Sequence, residues 1–141
     1  MDVKIKQVKG LTFVGKADSN HWVSVDGPEK FNGSEAASRP MELLLISLGG
    51  CTGSDVASIL SKKRVNLNDF ELNLSAEKAE EHPKVFTKID VEYVFYGSDL
   101  KEKDLKRAID LSQDKYCPVS AMLKKSGVEI AYSFKIKEKK E

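Results

Sequence analysis

Residues 40–63 read PMELLLISLGGCTGSDVASILSKK, and how this stretch folds decides the architecture. Pro40 suits the first turn of a helix, with Ser38 or Arg39 as its cap. Apolar residues then fall on every side of the helical wheel, and a helix apolar all round must be covered all round. Ser47, Thr52, Ser54 and Asp55 interrupt the run, which marks a buried helix and not a membrane span. One sheet built from 141 residues covers only one face of such a helix. A second copy of the chain is the natural cover for the other.

On the N-terminal side, Val3 to Val8, Leu11 to Lys16 and Trp22 to Asp26 read as strands, followed by the turn residues Gly27-Pro28 and Asn32-Gly33. On the C-terminal side the period changes to two. Phe70, Leu72, Leu74 and Ala76 alternate with polar residues, as do Val85, Thr87, Ile89, Val91, Tyr93 and Phe95, with His82-Pro83 at a charged hairpin tip. Ser98 or Asp99 is the expected cap of a polar-faced helix through Leu105, Ala108, Ile109 and Leu111. A short helix from Pro118 to Lys125 stops at Gly127, and a last alternating strand runs from Val128 to Ile136. The Lys-Glu tail is expected to be a solvated end. The order is α+β, an antiparallel sheet packed on a long central helix, in a single domain covering residues 1–141.

Composition excludes several functions. The chain carries 23 basic and 22 acidic residues, a net charge of +1, so it lacks the excess of cations that a nucleic-acid binder shows. Two cysteines cannot make a disulfide scaffold, and 40% hydrophobic residues exclude wholesale disorder. The N-terminus MDVKIKQVKG has no continuous apolar stretch, so a cytosolic protein with no membrane partner is expected. Cys51, Cys117, His21 and His82 stand at four isolated places without the paired spacing of structural zinc, so no metal is expected. Neither a phosphate-binding glycine loop nor a nucleophile–base signature is present. His21, Trp22 and Tyr116 read as packing.

The chemistry therefore rests on the cysteines. Cys51 follows Gly49-Gly50, a pair that costs a helix roughly 1 kcal/mol per glycine. Either another helix approaches closely there, or the helix breaks and leaves Cys51 in a first turn whose dipole favours the thiolate. Cys117 precedes Pro118, at the N-cap of the short helix, where unpaired N–H groups also favour a thiolate. The plainer reading is that both are small buried hydrophobes. Asp55, one turn after Cys51, would raise a neighbouring thiol's pKa and reads as a polar or interfacial contact.

Arg39-Pro40-Met41-Glu42-Leu43-Leu44-Leu45, leading to Gly49-Gly50-Cys51, resembles the helix of the OsmC/Ohr family of thiol peroxidases, and Cys117-Pro118-Val119-Ser120 resembles its second cysteine motif. The element order matches from about residue 3 to residue 137. The resemblance implies an intertwined homodimer that reduces organic hydroperoxides without metal or organic cofactor. Cys51 would be the peroxidatic thiolate and Cys117 the resolving thiol, the resulting disulfide being reduced by an external dithiol or a lipoylated protein. Better-known members hold the thiolate with an N-terminal arginine and a glutamate. Here the glutamate's position falls on Met41, one residue short of Glu42, and no arginine precedes Arg39. Arg39 and Glu42 are the candidate replacements, with a pair of first-turn charges as the plain alternative. In a continuous helix the nine residues from Glu42 to Cys51 rise about 13 Å and end on opposite faces, so the pair would serve Cys51 from a partner subunit or across a break. Rival functions are a dimer that binds an apolar small molecule in the same pocket, and a thiol or sulfur carrier.

Overall fold

The order of elements is β1 (Lys4–Lys9), β2 (Thr12–Lys16), β3 (Val23–Val25), α1 (Pro40–Lys62), β4 (Asp69–Lys78), β5 (Phe86–Tyr96), α2 (Glu102–Leu111), α3 (Pro118–Lys125) and β6 (Glu129–Lys137). The structure, a computed structural model, describes residues 1–138; Lys139, Lys140 and Glu141 of the expected tail lie outside the described residues. The chain divides into two compact units, Met1–Ile46 and the remainder from Ser47. The strands form two three-stranded sheets, one in each unit, where a single sheet was expected.

In the first unit β1, β2 and β3 pair antiparallel in sequence order. Gly10, at φ +55°, makes the turn between β1 and β2 that a side chain would strain. After β3 the loop is gathered by Asp26. Its buried carboxylate accepts hydrogen bonds from the backbone N–H of Gly27 (2.7 Å) and Ala36 (3.1 Å) and from the Thr12 hydroxyl (3.1 Å). Asp26 is the only buried residue of this unit, and β1 is exposed along its whole length. The start of α1 is capped from within: the Arg39 carbonyl accepts the first helical bonds, and the Glu42 carboxylate reaches back to the Arg39 N–H at 2.9 Å.

In the second unit β5 is central, flanked by β4 and β6. β4 and β5 form the expected antiparallel hairpin, but β6 runs parallel to β5. The cause is the connection. The chain leaving β5 passes through α2 and α3 before β6, a crossover that returns it to the end at which β5 began. Phe70 and Phe95 stack at 4.8 Å between ring centroids, with Tyr93 in the same layer. The polar-faced helix starts later than expected, at Glu102 with Lys101 at its N-cap, because Asp99 adopts φ +59° and turns the chain first.

Helix α1 presents Leu48, Thr52, Val56 and Leu60, one residue per turn, as a fully buried stripe. Each fully buried leucine there is worth ~1.5–3 kcal/mol. Gly49 and Gly53 flank the stripe and permit close packing: a Cβ at Gly49 would meet Leu74 Cδ1 at 3.2 Å, and one at Gly53 would meet Leu72 Cδ1 at 3.1 Å. The close approach is thus made by side chains of β4 and not by another helix. Gly50 faces open space. By length and composition α1 is the one helix among the described residues able to cross a membrane. Its buried stripe and the hydrogen-bonded Thr52 mark it here as the helix of a folded core.

Candidate active site

Cys51 lies at mid-length of α1, half-buried, and α1 continues through Gly49-Gly50 without a break. Of the two alternatives for Gly49-Gly50, the break that would put Cys51 in a first turn is absent, and Gly49 and Gly53 instead allow close packing of β4 side chains. Cys117 is brought to it by an unusual connection. After α2 the chain widens into a π-helical turn, Ser112–Tyr116, closed by a bond from the Cys117 N–H to the Ser112 carbonyl at 2.9 Å. It then turns at Cys117 and enters α3 through Pro118. The two sulfurs end 2.9 Å apart.

Cys117 is the N-cap of α3 as expected, and its sulfur accepts a hydrogen bond from the Ser120 N–H at 3.3 Å. The expectation that this position makes it acidic does not hold. Burial pushes the Cys117 thiol up to about 11, and the Cys51 sulfur beside it pushes the same way. The N–H groups of Ser120 and Val119, which favour the thiolate, are outweighed, because a buried thiolate loses more solvation than they return.

Around the sulfurs runs a polar network that the sequence reading missed. Thr52 Oγ1 lies 2.6 Å from the Tyr93 hydroxyl and 2.8 Å from Ser112 Oγ. Gln113 Nε2 donates to the Tyr93 hydroxyl at 2.8 Å, and Ser120 Oγ donates to Gln113 Oε1 at 2.7 Å. Ser112 Oγ donates to Asp55 Oδ2 at 2.9 Å, so Asp55 makes the polar contact expected of it. Among the described residues no buried side-chain nitrogen or oxygen is left without a partner. Such a network fixes a unique arrangement, because one broken bond leaves a buried group unsatisfied. The sequence marks Thr52 and Asp55 as polar interruptions of a buried helix, and buried polar groups demand partners, but no local pattern names those partners.

Arg39 and Glu42 are engaged elsewhere. Glu42 caps α1, and the Arg39 guanidinium lies 3.5 Å from Glu35, half-exposed. With α1 unbroken, no helix break carries this pair round to Cys51. A concavity of about 530 Å³ is lined by Asp55, Ser58, Ile59, Lys62, Lys63, Leu111 and Tyr116, and by neither cysteine. Tyr116, expected to be packing, is half-exposed on its wall.

The family model of the OsmC-like protein matches residues 32–133. Protein YhfA of Escherichia coli is 42% identical over 136 residues, covering 96% of this chain and 98% of its own. A hypothetical protein of Aquifex aeolicus has a crystal structure 35% identical to this chain, with a TM-score of 0.85 over 99% of this chain and 97% of that one. An organic hydroperoxide resistance protein OsmC from Legionella pneumophila shares the fold at a TM-score of 0.68 and 15% identity, over 95% of this chain and 96% of that one. The match of family model, sequence and fold over nearly all of its length makes this chain a member of the OsmC-like protein family.

Proposed function

We propose that the chain is a cysteine-based reductase of organic hydroperoxides, working as one OsmC-like domain in an intertwined homodimer. The observation that carries the reading is the 2.9 Å separation of the Cys51 and Cys117 sulfurs. Buried inert cysteines need no such approach. Cys51 is the attacking sulfur, since it is half-exposed while Cys117 is buried and its thiol pushed up by that burial. Its attack on the terminal peroxide oxygen breaks the O–O bond and leaves Cys51 as a sulfenic acid, and the departing alkoxide takes up the proton that the Cys51 thiol had given to solvent and leaves as the alcohol. Cys117 then attacks that sulfur; its proton leaves with the departing hydroxide as water, and the disulfide forms. An external dithiol returns both sulfurs to thiols. The similarity in fold to the organic hydroperoxide resistance protein of Legionella pneumophila supports the substrate class.

The second copy is supported by the first unit, where Val3, Ile5, Val23, Val25 and Leu43 line one apolar concavity and Ile5 and Val23 stay exposed. Apolar residues gathered in this way suit an association site. Arg39 and Glu42 enter the proposal only as residues that a partner subunit would supply to the thiolate.

The test is a thiol titration of the reduced protein with one equivalent of cumene hydroperoxide, and of hydrogen peroxide in parallel. Both thiols should disappear within seconds, faster with the organic peroxide, and Cys51→Ser should abolish the loss. Survival of both thiols in a large excess of peroxide would overturn the reading in favour of a binder of apolar ligands.

A further inference from the structure

We propose that the reduced site is also a redox-gated binding site for a thiophilic divalent cation of the zinc class, held by Cys51, Cys117 and Asp55. The two sulfurs and a carboxylate oxygen of Asp55 all lie within 4.8 Å of one another. Cys51 and Asp55 are four residues apart on α1 and so share one face, while the π-helical turn delivers Cys117 from the other side. With Zn–S near ~2.3 Å and Zn–O near ~2.1 Å, tetrahedral ligands sit roughly 3.5–3.8 Å apart. Spreading the sulfurs and drawing in the carboxylate takes movements of about an ångström, within reach of side-chain rotation.

Two further features favour a cation here. Each of two donors is already oriented from behind, Asp55 by the Ser112 hydroxyl and the Cys117 sulfur by the Ser120 N–H, as outer partners orient metal ligands. Asp55 also makes no salt bridge among the described residues, although it is half-buried beside two thiols. Lys63, on the same concavity, is committed to Asp104 at 2.8 Å. Two sulfurs and one oxygen suit zinc chemistry and not that of magnesium or calcium.

Three protein ligands leave a fourth position open, the pattern of an exchangeable and not a structural zinc. A two-electron oxidant, a hydroperoxide or diamide, takes the electron pair as the two sulfurs join in a disulfide; they are then no longer thiolate ligands, and the ion is released. The bound ion would in turn mask both thiols from peroxide. The inference needs only reduced thiols and stands whether or not the protein consumes peroxide. The sequence argument against metal weighed Cys51, Cys117, His21 and His82 by their isolated spacing along the chain; the fold brings the two cysteines together, and the histidines take no part.

The test is titration of the full-length, reduced, metal-stripped protein with Co²⁺ under exclusion of air, followed by Zn²⁺ competition against a chromophoric chelator. One Co²⁺ per chain should bind with a thiolate-to-metal charge-transfer band, and Zn²⁺ should displace it. Asp55→Asn should weaken Zn²⁺ binding by about tenfold or more, and Ser112→Ala, which leaves all three donors, should weaken it less. Protein oxidised with diamide should bind none. Absence of the charge-transfer band, equal affinity in Asp55→Asn, or undiminished binding after oxidation would each overturn the proposal. Circular dichroism identifies a variant that has failed to fold, and the milder Ser112→Ala and Asp55→Glu variants then carry the comparison.

Discussion

Every buried apolar side chain among the described residues lies from Leu48 onward, where two helices and the stripe of a third accompany β4, β5 and β6. Before Ser47 the only buried residue is the charged Asp26, while Ile5 is 67% and Phe31 65% exposed. One unit has a core and the other has a surface that resembles one. The second unit also holds Cys51, Cys117, Asp55 and the whole polar network. The contrast is between a unit whose packing fixes distances to fractions of an ångström and a unit that lacks a core of its own; under the proposed function the former would carry the chemistry and the latter the association.

The largest effect expected concerns the chemistry. Cys51→Ser should lower peroxide consumption at least ~10³-fold and leave the oligomer unchanged in light scattering. Residual activity close to the wild type would remove Cys51 from the nucleophile's role. Next, Leu48→Ala should cost ~2–5 kcal/mol at any protein concentration, read from urea melts, because it empties a site enclosed by the chain itself. Ile5→Glu should act only through association, weakening it on the order of a hundredfold as measured by sedimentation. A monomer–dimer equilibrium that ignores Ile5→Glu would place the interface elsewhere.

Acid should separate the units further. Backbone hydrogen bonds, led by that from Gly27, hold the Asp26 carboxyl below its ordinary value of 3.8. A depressed native pKa means that the stabilisation is present above 3.8 and is lost as pH falls through the native value. Urea melts between neutral and strongly acid pH should show this loss, and Asp26→Asn should flatten it. The smallest effect belongs to Gly50, which faces open space in the chain. Gly50→Ala should stabilise the helix by ~0.5–1 kcal/mol. A destabilisation that disappears on dilution would mean that a second copy packs against this face.

What could be read from the sequence follows from how local each cause is. The bounds of α1 and α3, the hairpin of β4 and β5, and the stop at Gly127 are written in Pro40, Pro118, Gly127 and in periodicity. The two cysteines were recognisable as a pair from their motifs. The parallel placement of β6 was not legible, since it depends on where a long crossover returns. The network of Thr52, Tyr93, Ser112, Gln113 and Ser120 joins residues up to 61 positions apart, and no local pattern announces it. The ionisation of Cys117 was misread for a related reason: the N-cap is a local feature, but burial, which outweighs it, is a property of the finished fold.

The π-helical turn before Cys117 has a consequence for how the chain can vary in length. Each residue of an ordinary helix turns the chain by about 100°, and this turn gathers one residue more per loop than an ordinary one. Ser112, at its start, points to Thr52 and Asp55, and Cys117, at its end, points to Cys51. Substitutions at the exposed Asp114, Lys115 and Tyr116 leave that spacing untouched. Loss of any one of the three would tighten the turn and swing the sulfur away from its partner. Residues 112–117 thus form a spacer whose length is constrained more tightly than the identity of its outward-facing residues.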